Sequence, residues 1–260
     1  MRKFAHFLFL APLAAALFCA IPVPASAQDY GREKRWRDEV IPTVVVGDPV
    51  MIKAASGHEF LALYTEAAKP RASIVLVHGI GVHPDHSIIG TLRSQLAERG
   101  YSTLSIQMPV AAADAGPEAY PPLFADAADR IAKAAGWLRS KSPVHLVLLS
   151  HSMGTRMANA YLDGAGATSP FSAWVALGLG QPYSSATTGF AMPILDVYGE
   201  LDLATVRESA AQRKTALNPL NGSKQAVLAR ADHFYSTQET ELLAAIDNFL
   251  SVLLAKPPQR

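Results

Sequence analysis

The sequence predicts an α/β domain: a mostly parallel, doubly wound sheet with an antiparallel hairpin at its N-terminal side and no large cap domain. Apolar, β-branched runs at residues 73–77, 144–149 and 194–198 alternate with stretches of helical periodicity, the pattern of strands buried on both faces and joined by right-handed crossovers. Half of the chain is hydrophobic, enough to fill the core of one domain of roughly 230 residues rather than two small ones. Between the strands that end at 177 and begin at 194 only residues 178–193 are available, so a large lid does not fit.

Two segments of other character precede the domain, which is expected over residues 43–255. Residues 1–27 have the build of a secretory signal peptide: Arg2 and Lys3, an apolar stretch at 4–20, then Ala25-Ser26-Ala27. Cleavage there starts the mature chain at Gln28 and predicts an exported protein, periplasmic or secreted. The alternative, an uncleaved anchor, is opposed by Pro12, Pro22 and Pro24, which interrupt the apolar run. Cys19, the only cysteine, leaves with the leader, so an ordinary hydrophobic core must stabilise the mature chain. Without Arg2 and Lys3, 21 basic residues face 22 acidic ones, a formal charge of −1 that offers nothing to nucleic acid. Residues 28–42, mixed in charge and poor in apolar side chains, are expected to be a solvated lead-in.

Within the domain, residues 43–53 and 58–65 are strand-like around the turn residues Ser56-Gly57, which predicts the hairpin. The strand at 73–77 runs into His78-Gly79-Ile80-Gly81, where a functional loop is expected. A helix follows over 88–99 and ends at Gly100, then a strand at 103–106, a Pro, Ala and Gly-rich loop at 107–118 and a second amphipathic helix at 123–140. Further strands are expected at 172–177, 194–198 and 225–229, with helices at 205–217 and 239–254.

The strand at 144–149 feeds Ser150-His151-Ser152-Met153-Gly154 and then a helical stretch from Thr155. Strand, sharp turn and helix form the context in which a serine is held on a strained backbone with its Oγ exposed, while small neighbours on either side let strand and helix pack closely. Gly154 is one such neighbour; Ser150 stands where glycine is usual.

With this architecture the residues from about 44 to 254 resemble the α/β-hydrolase superfamily, its small exported members in particular. Four short motifs carry the resemblance in order: His78-Gly79 after a strand, Ser-His-Ser-Met-Gly at the elbow, Gly199-Glu200-Leu201-Asp202 after a strand, and Ala231-Asp232-His233-Phe234. The resemblance implies a nucleophile, acid and histidine at Ser152, Asp202 and His233. Their chemistry is consistent, because a serine hydroxyl needs a base near neutral pKa, and the imidazolium that results needs a carboxylate. Asp196 and Glu200 compete for the acid role; Asp196, inside its strand, is expected to face a structural partner, and Glu200 is expected to be solvated. The resemblance also implies an oxyanion hole from the backbone N–H groups of Ile80 and Met153, a loop-shaping role for His78, and a packed or bonded His151.

Tyr183 and Phe190 are expected on the rim of an open cleft, the 107–122 loop as its other wall, and His83 and His86 beside it. His78, His83, Asp85 and His86 also form a set that imidazole and carboxylate chemistry would allow to bind a divalent ion, but their spacing fits no fixed ligand template. No metal or cofactor is therefore expected. The implied activity is serine hydrolysis of a small-molecule or lipid carboxylic ester through an acyl-Ser152 intermediate, with no transmembrane segment in the mature chain; ester chemistry rests on family analogy. The rival reading is a noncatalytic member that uses the cleft to bind a cell-envelope partner.

Overall fold

The computed structural model describes residues 28–141, 145–184, 192–217 and 222–255; the expected leader at 1–27 and Phe190 lie outside the described residues. Residues 28–42, expected to be a solvated lead-in, are exposed over most of their length but docked at Gln28, Glu33 and Val40. They form helix α1 (Tyr30–Val40), capped by the Asp29 carboxylate, which accepts the Arg32 N–H at 2.8 Å. Charge hid this helix from a hydropathy reading, because its principal buried anchor is Glu33, paired at 2.9 Å with Arg130 and at 2.9 Å with His58.

Strands β1 (Asp48–Lys53) and β2 (Glu59–Thr65) form the expected antiparallel hairpin, and Gly57 closes its turn with φ at +89°. Residues 43–47 do not extend β1, because a 3-10 turn runs over Ile41–Thr43 and Gly47 has φ +74°. The chain then alternates through β3 (Ala72–Val77), α2 (Ser87–Glu98), β4 (Tyr101–Ile106), α3 (Phe124–Lys141), β5 (Leu146–His151), α4 (Met153–Ala165), β6 (Ala173–Leu177), β7 (Ile194–Gly199), α5 (Ala204–Ala216), β8 (Lys224–Leu228) and α6 (Glu239–Leu254).

The strands join in the order β1-β2-β4-β3-β5-β6-β7-β8, parallel from β4 onward. The period-two alternation of side chains sends Ile74, Leu76, Val147 and Leu149 to the face covered by α2 and α6, and Val75, Val77, Leu146 and Leu148 to the face covered by α3 and α4. Each such fully buried aliphatic contributes about 1.5–3 kcal/mol. Because β3, β5, β6, β7 and β8 run the same way, the loops that leave them gather at one end of the sheet. Among the described residues no helix is long and apolar enough to cross a membrane.

Candidate active site

Ser152 sits between β5 and α4 with φ +56° and ψ −122°, a conformation that costs a non-glycine residue about 1–3 kcal/mol. Its N–H donates to Leu177 O at 2.9 Å, which fixes the turn against β6. The β3 exit loop passes so close that a Cβ on Gly154 would stand 2.4 Å from His78 O, and one on Gly79 would stand 3.2 Å from Ser152 Cβ. Ser150 has a different reason to be where it is. Its buried Oγ accepts the Trp174 indole N–H at 2.8 Å from neighbouring β6, so the hydroxyl serves a donor that glycine would leave unpaired.

The strand ends bring three side chains into line. Ser152 Oγ lies 2.8 Å from His233 Nε2, and His233 Nδ1 lies 2.6 Å from Asp202 Oδ1. Burial opposes the charge on Asp202, but hydrogen bonds from His233, from the Gly199 N–H at 3.1 Å and from the Leu203 N–H at 2.8 Å outweigh it and hold the carboxyl below its usual range. An ionised Asp202 only accepts, so Nδ1 carries the proton and Nε2 keeps its lone pair for the serine hydroxyl.

The two loops that carry Asp202 and His233 are laced together. Glu200 N–H donates to Leu228 O at 2.9 Å, Leu201 N–H to Ala231 O at 2.9 Å, and the Glu200 carboxylate accepts the Arg230 N–H at 2.8 Å. Glu200 thus ties the loops together instead of competing for the acid role. Asp196, fully buried, is paired at 2.9 Å with Arg213 and hydrogen-bonded at 2.8 Å by Gln225, as expected of a structural partner.

Two neighbours of the histidine loop, Tyr235 and Gly178, were not singled out from sequence; a third, His151, is bonded as expected. Tyr235, with φ +57°, donates its hydroxyl proton to Val197 O at 2.9 Å and roots the loop on β7. His151 Nε2 donates to the His233 carbonyl at 2.8 Å. Gly178, at φ +65°, clears the ring of His233, since a Cβ there would lie 2.9 Å from its Cε1. A glycine directly after the strand beside the elbow was the available signal for the last.

His78 lies under the loop and not over it. Burial pushes it down to about 3, so the neutral ring donates from Nδ1 to Gly79 O at 2.9 Å and accepts the Met108 N–H at Nε2, also at 2.9 Å. In a trans peptide the N–H points opposite the carbonyl, so this bond to Gly79 O also orients the Ile80 N–H. Among the described residues neither the Ile80 nor the Met153 N–H donates to a backbone carbonyl outside the helices and strands, and Met153 is the first residue of α4, where an N–H has no intrahelical acceptor.

Above Ser152 opens a cleft of about 220 Å³, walled by Ile80, Val82, Ile89, Leu203 and Phe234 and reached by His86. The other expected wall and rim are different from the expectation. Residues 107–122 do not line the cleft; Met108, Val110 and Ala111 are buried, and the start of α2 takes the wall position. Tyr183 is no rim residue. It is buried edge-on against Trp174 at 5.6 Å, because a large aromatic beside the sheet gains more from the core than from water. His83 turns away from the cleft to lie edge-on to Trp36 and His86, at 6.1 and 5.4 Å. Asp85 is engaged by Arg93 at 2.7 Å, which takes the only carboxylate out of the suggested metal set.

A family model described as a protein of unknown function, DUF3530, matches residues 47–128. No curated protein matches the sequence. Solved structures do. The α/β serine hydrolase without lid XC6422 from Xanthomonas campestris is 14% identical with a TM-score of 0.62, covering 83% of this chain and 98% of its own. The α/β hydrolase GrgF from Penicillium sp. sh18 is 12% identical with a TM-score of 0.64, covering 80% and 99%. The esterase domain of a Rhodothermus marinus protein is 15% identical with a TM-score of 0.58, covering 79% and 97%.

Proposed function

From a chain that has the α/β-hydrolase fold, we propose a serine hydrolase that cleaves carboxylic esters through an acyl-Ser152 intermediate. The observation that carries the reading is the unbroken hydrogen-bonded line from Ser152 through His233 to Asp202 at the floor of the cleft. His233 Nε2 takes the hydroxyl proton as Ser152 Oγ attacks the ester carbonyl, and Asp202 stabilises the imidazolium that results. The N–H groups of Ile80 and Met153 receive the oxygen of the tetrahedral intermediate. His233 then returns the proton to the leaving alcohol, and water repeats the sequence to free Ser152. The apolar walls favour an acyl group without charge, and the esterase among the fold relatives is consistent with ester chemistry.

Labelling the mature protein with a fluorophosphonate beside Ser152→Ala tests the assignment. Labelling of the native chain and none of the variant is expected. Labelling that survives in the variant moves the nucleophile elsewhere, and failure of both to label favours the noncatalytic binding reading. We also propose export with cleavage after Ala27; the N-terminal residue of the protein recovered outside the cytoplasm, expected to be Gln28, checks it.

A further inference from the structure

Helix α1 does more than pack Val40 against Leu61 and Leu63 of β2. Its first turn is fixed from several sides: Asp29 N–H donates to Val110 O at 2.7 Å, and the buried Glu33 carboxylate takes two bonds from Arg130, at 2.9 and 3.1 Å. From this turn Arg32 reaches three carbonyls on two loops. Its guanidinium donates to Gly81 O at 2.9 Å, Ala111 O at 3.1 Å and Ala112 O at 3.3 Å, and it stacks 4.5 Å over the Trp36 ring.

Gly81 follows Ile80 directly and has φ +64°; a Cβ there would lie 3.2 Å from Arg32 Nη2, so glycine is what lets the guanidinium come in close. The carbonyls of both residues that flank Ile80 are therefore held, Gly79 O by His78 and Gly81 O by Arg32. A rigid, planar fork of donors can hold carbonyls of two loops at once, which a lysine ammonium on a flexible stem does less well.

We propose that Arg32 is a positioning residue for hydrolysis: through Gly81 it fixes the loop that presents the Ile80 N–H to the developing oxyanion. This rests on the reading that Ser152 is the nucleophile and Ile80 an oxyanion donor. Arg32 does not touch substrate, so its loss acts on the transition state and not on ground-state binding.

The test is steady-state kinetics on a short-chain p-nitrophenyl ester, with Ser152→Ala, Arg32→Met, Arg32→Lys and the control Lys34→Met, which removes one positive charge from the exposed face of the same helix. A loosened oxyanion loop is expected to lower kcat in Arg32→Met by about ten- to a hundredfold with KM within about twofold. Arg32→Lys should fall between this variant and the native enzyme, and Lys34→Met should match the native enzyme.

Affinity for an alkyl boronic acid, whose tetrahedral adduct on Ser152 places an oxygen in the same site, should fall by a factor similar to kcat. Dilute guanidinium should restore part of the Arg32→Met rate. Native kcat in Arg32→Met, or a loss that disappears when each variant is assayed well below its own melting temperature, overturns the proposal. Should Arg32→Met fail to fold, Arg32→Gln and Arg32→Lys are judged by the same criteria. A native protein no more active than Ser152→Ala removes the Ser152 reading and this proposal with it; native activity with unaltered Arg32 variants removes this proposal alone.

Discussion

Asp196 and Asp202 belong to one strand and the turn that leaves it, and burial does not tell them apart, at 0% and 3% exposed. Their partners do. Asp196 lies within β7 and meets the buried Arg213 from α5 and the half-buried Gln225 from β8. Asp202 lies past the strand end, where two backbone N–H groups and the His233 ring converge on it at the cleft. A buried carboxylate becomes a structural tie or a candidate acid according to whether its partner is a fixed cation or a titratable base that itself touches a nucleophile.

Substitution of each aspartate by asparagine is the strongest way to break the comparison. Asp202→Asn should lower kcat by about 10³–10⁴-fold by favouring the wrong His233 tautomer, with a small change in melting temperature. Asp196→Asn leaves Arg213 buried without its counter-charge and should cost about 3–5 kcal/mol, roughly 10 °C or more in melting temperature for a domain of this size. Turnover per folded molecule should be preserved in Asp196→Asn, as measured by titrating active sites with a fluorophosphonate. The reverse pattern, an active Asp202→Asn beside an inactive but stable Asp196→Asn, would exchange the two roles.

The same contrast explains what the sequence made legible. Alternating apolar runs and helical periods gave the sheet, because burial on both faces imposes that composition on Ile74 to Val77 and on Leu146 to Leu149. Motif order picked out Ser152, Asp202 and His233 because each must follow a strand end, and the structure places them within hydrogen-bond reach of one another. Helix α1 was misread because it docks through Glu33, Arg32 and Asp29, residues that hydropathy counts as solvated. Tyr183 and His83 were misplaced for a related reason, since an aromatic in a loop carries no local signal for whether it turns to the core or to the cleft.

Histidines give a second contrast, read by pH. Burial, with the nearby His233, pushes His151 down from 6.5 to about 4, and burial pushes His78 to about 3. Both rings are neutral in the folded protein while the unfolded chain takes up protons below about 6.5, so the unfolded state is favoured as pH falls. Their stabilisation is fully present above about pH 6.5 and is lost toward about pH 4 for His151, at about 1.4 kcal/mol per pH unit for each ring. The lowered Asp202 carboxyl acts in a separate window, losing its contribution only below its ordinary value of 3.8. Thermal unfolding between about pH 5 and 7 should therefore show the native chain weakening on acidification, and His151→Gln, whose amide can still donate to His233 O, should show a shallower slope. A flat native curve over that range would mean that these rings already carry charge.

The smallest expected effect separates the two serines of the elbow. Ser152 Oγ faces the cleft and His233; Ser150 Oγ faces the core and accepts from Trp174. Ser150→Ala should leave ester turnover unchanged and cost about 1–3 kcal/mol, since it strands a buried indole N–H. That the cost belongs to the stranded donor is checked by Trp174→Phe, which removes the donor as well. If the Ser150 hydroxyl is there for the indole, the double variant loses less stability than the sum of the single ones, because no unpaired group remains. Additive losses would show that the hydroxyl serves something else in the elbow, and a fall in turnover with intact stability would place Ser150 in the site itself.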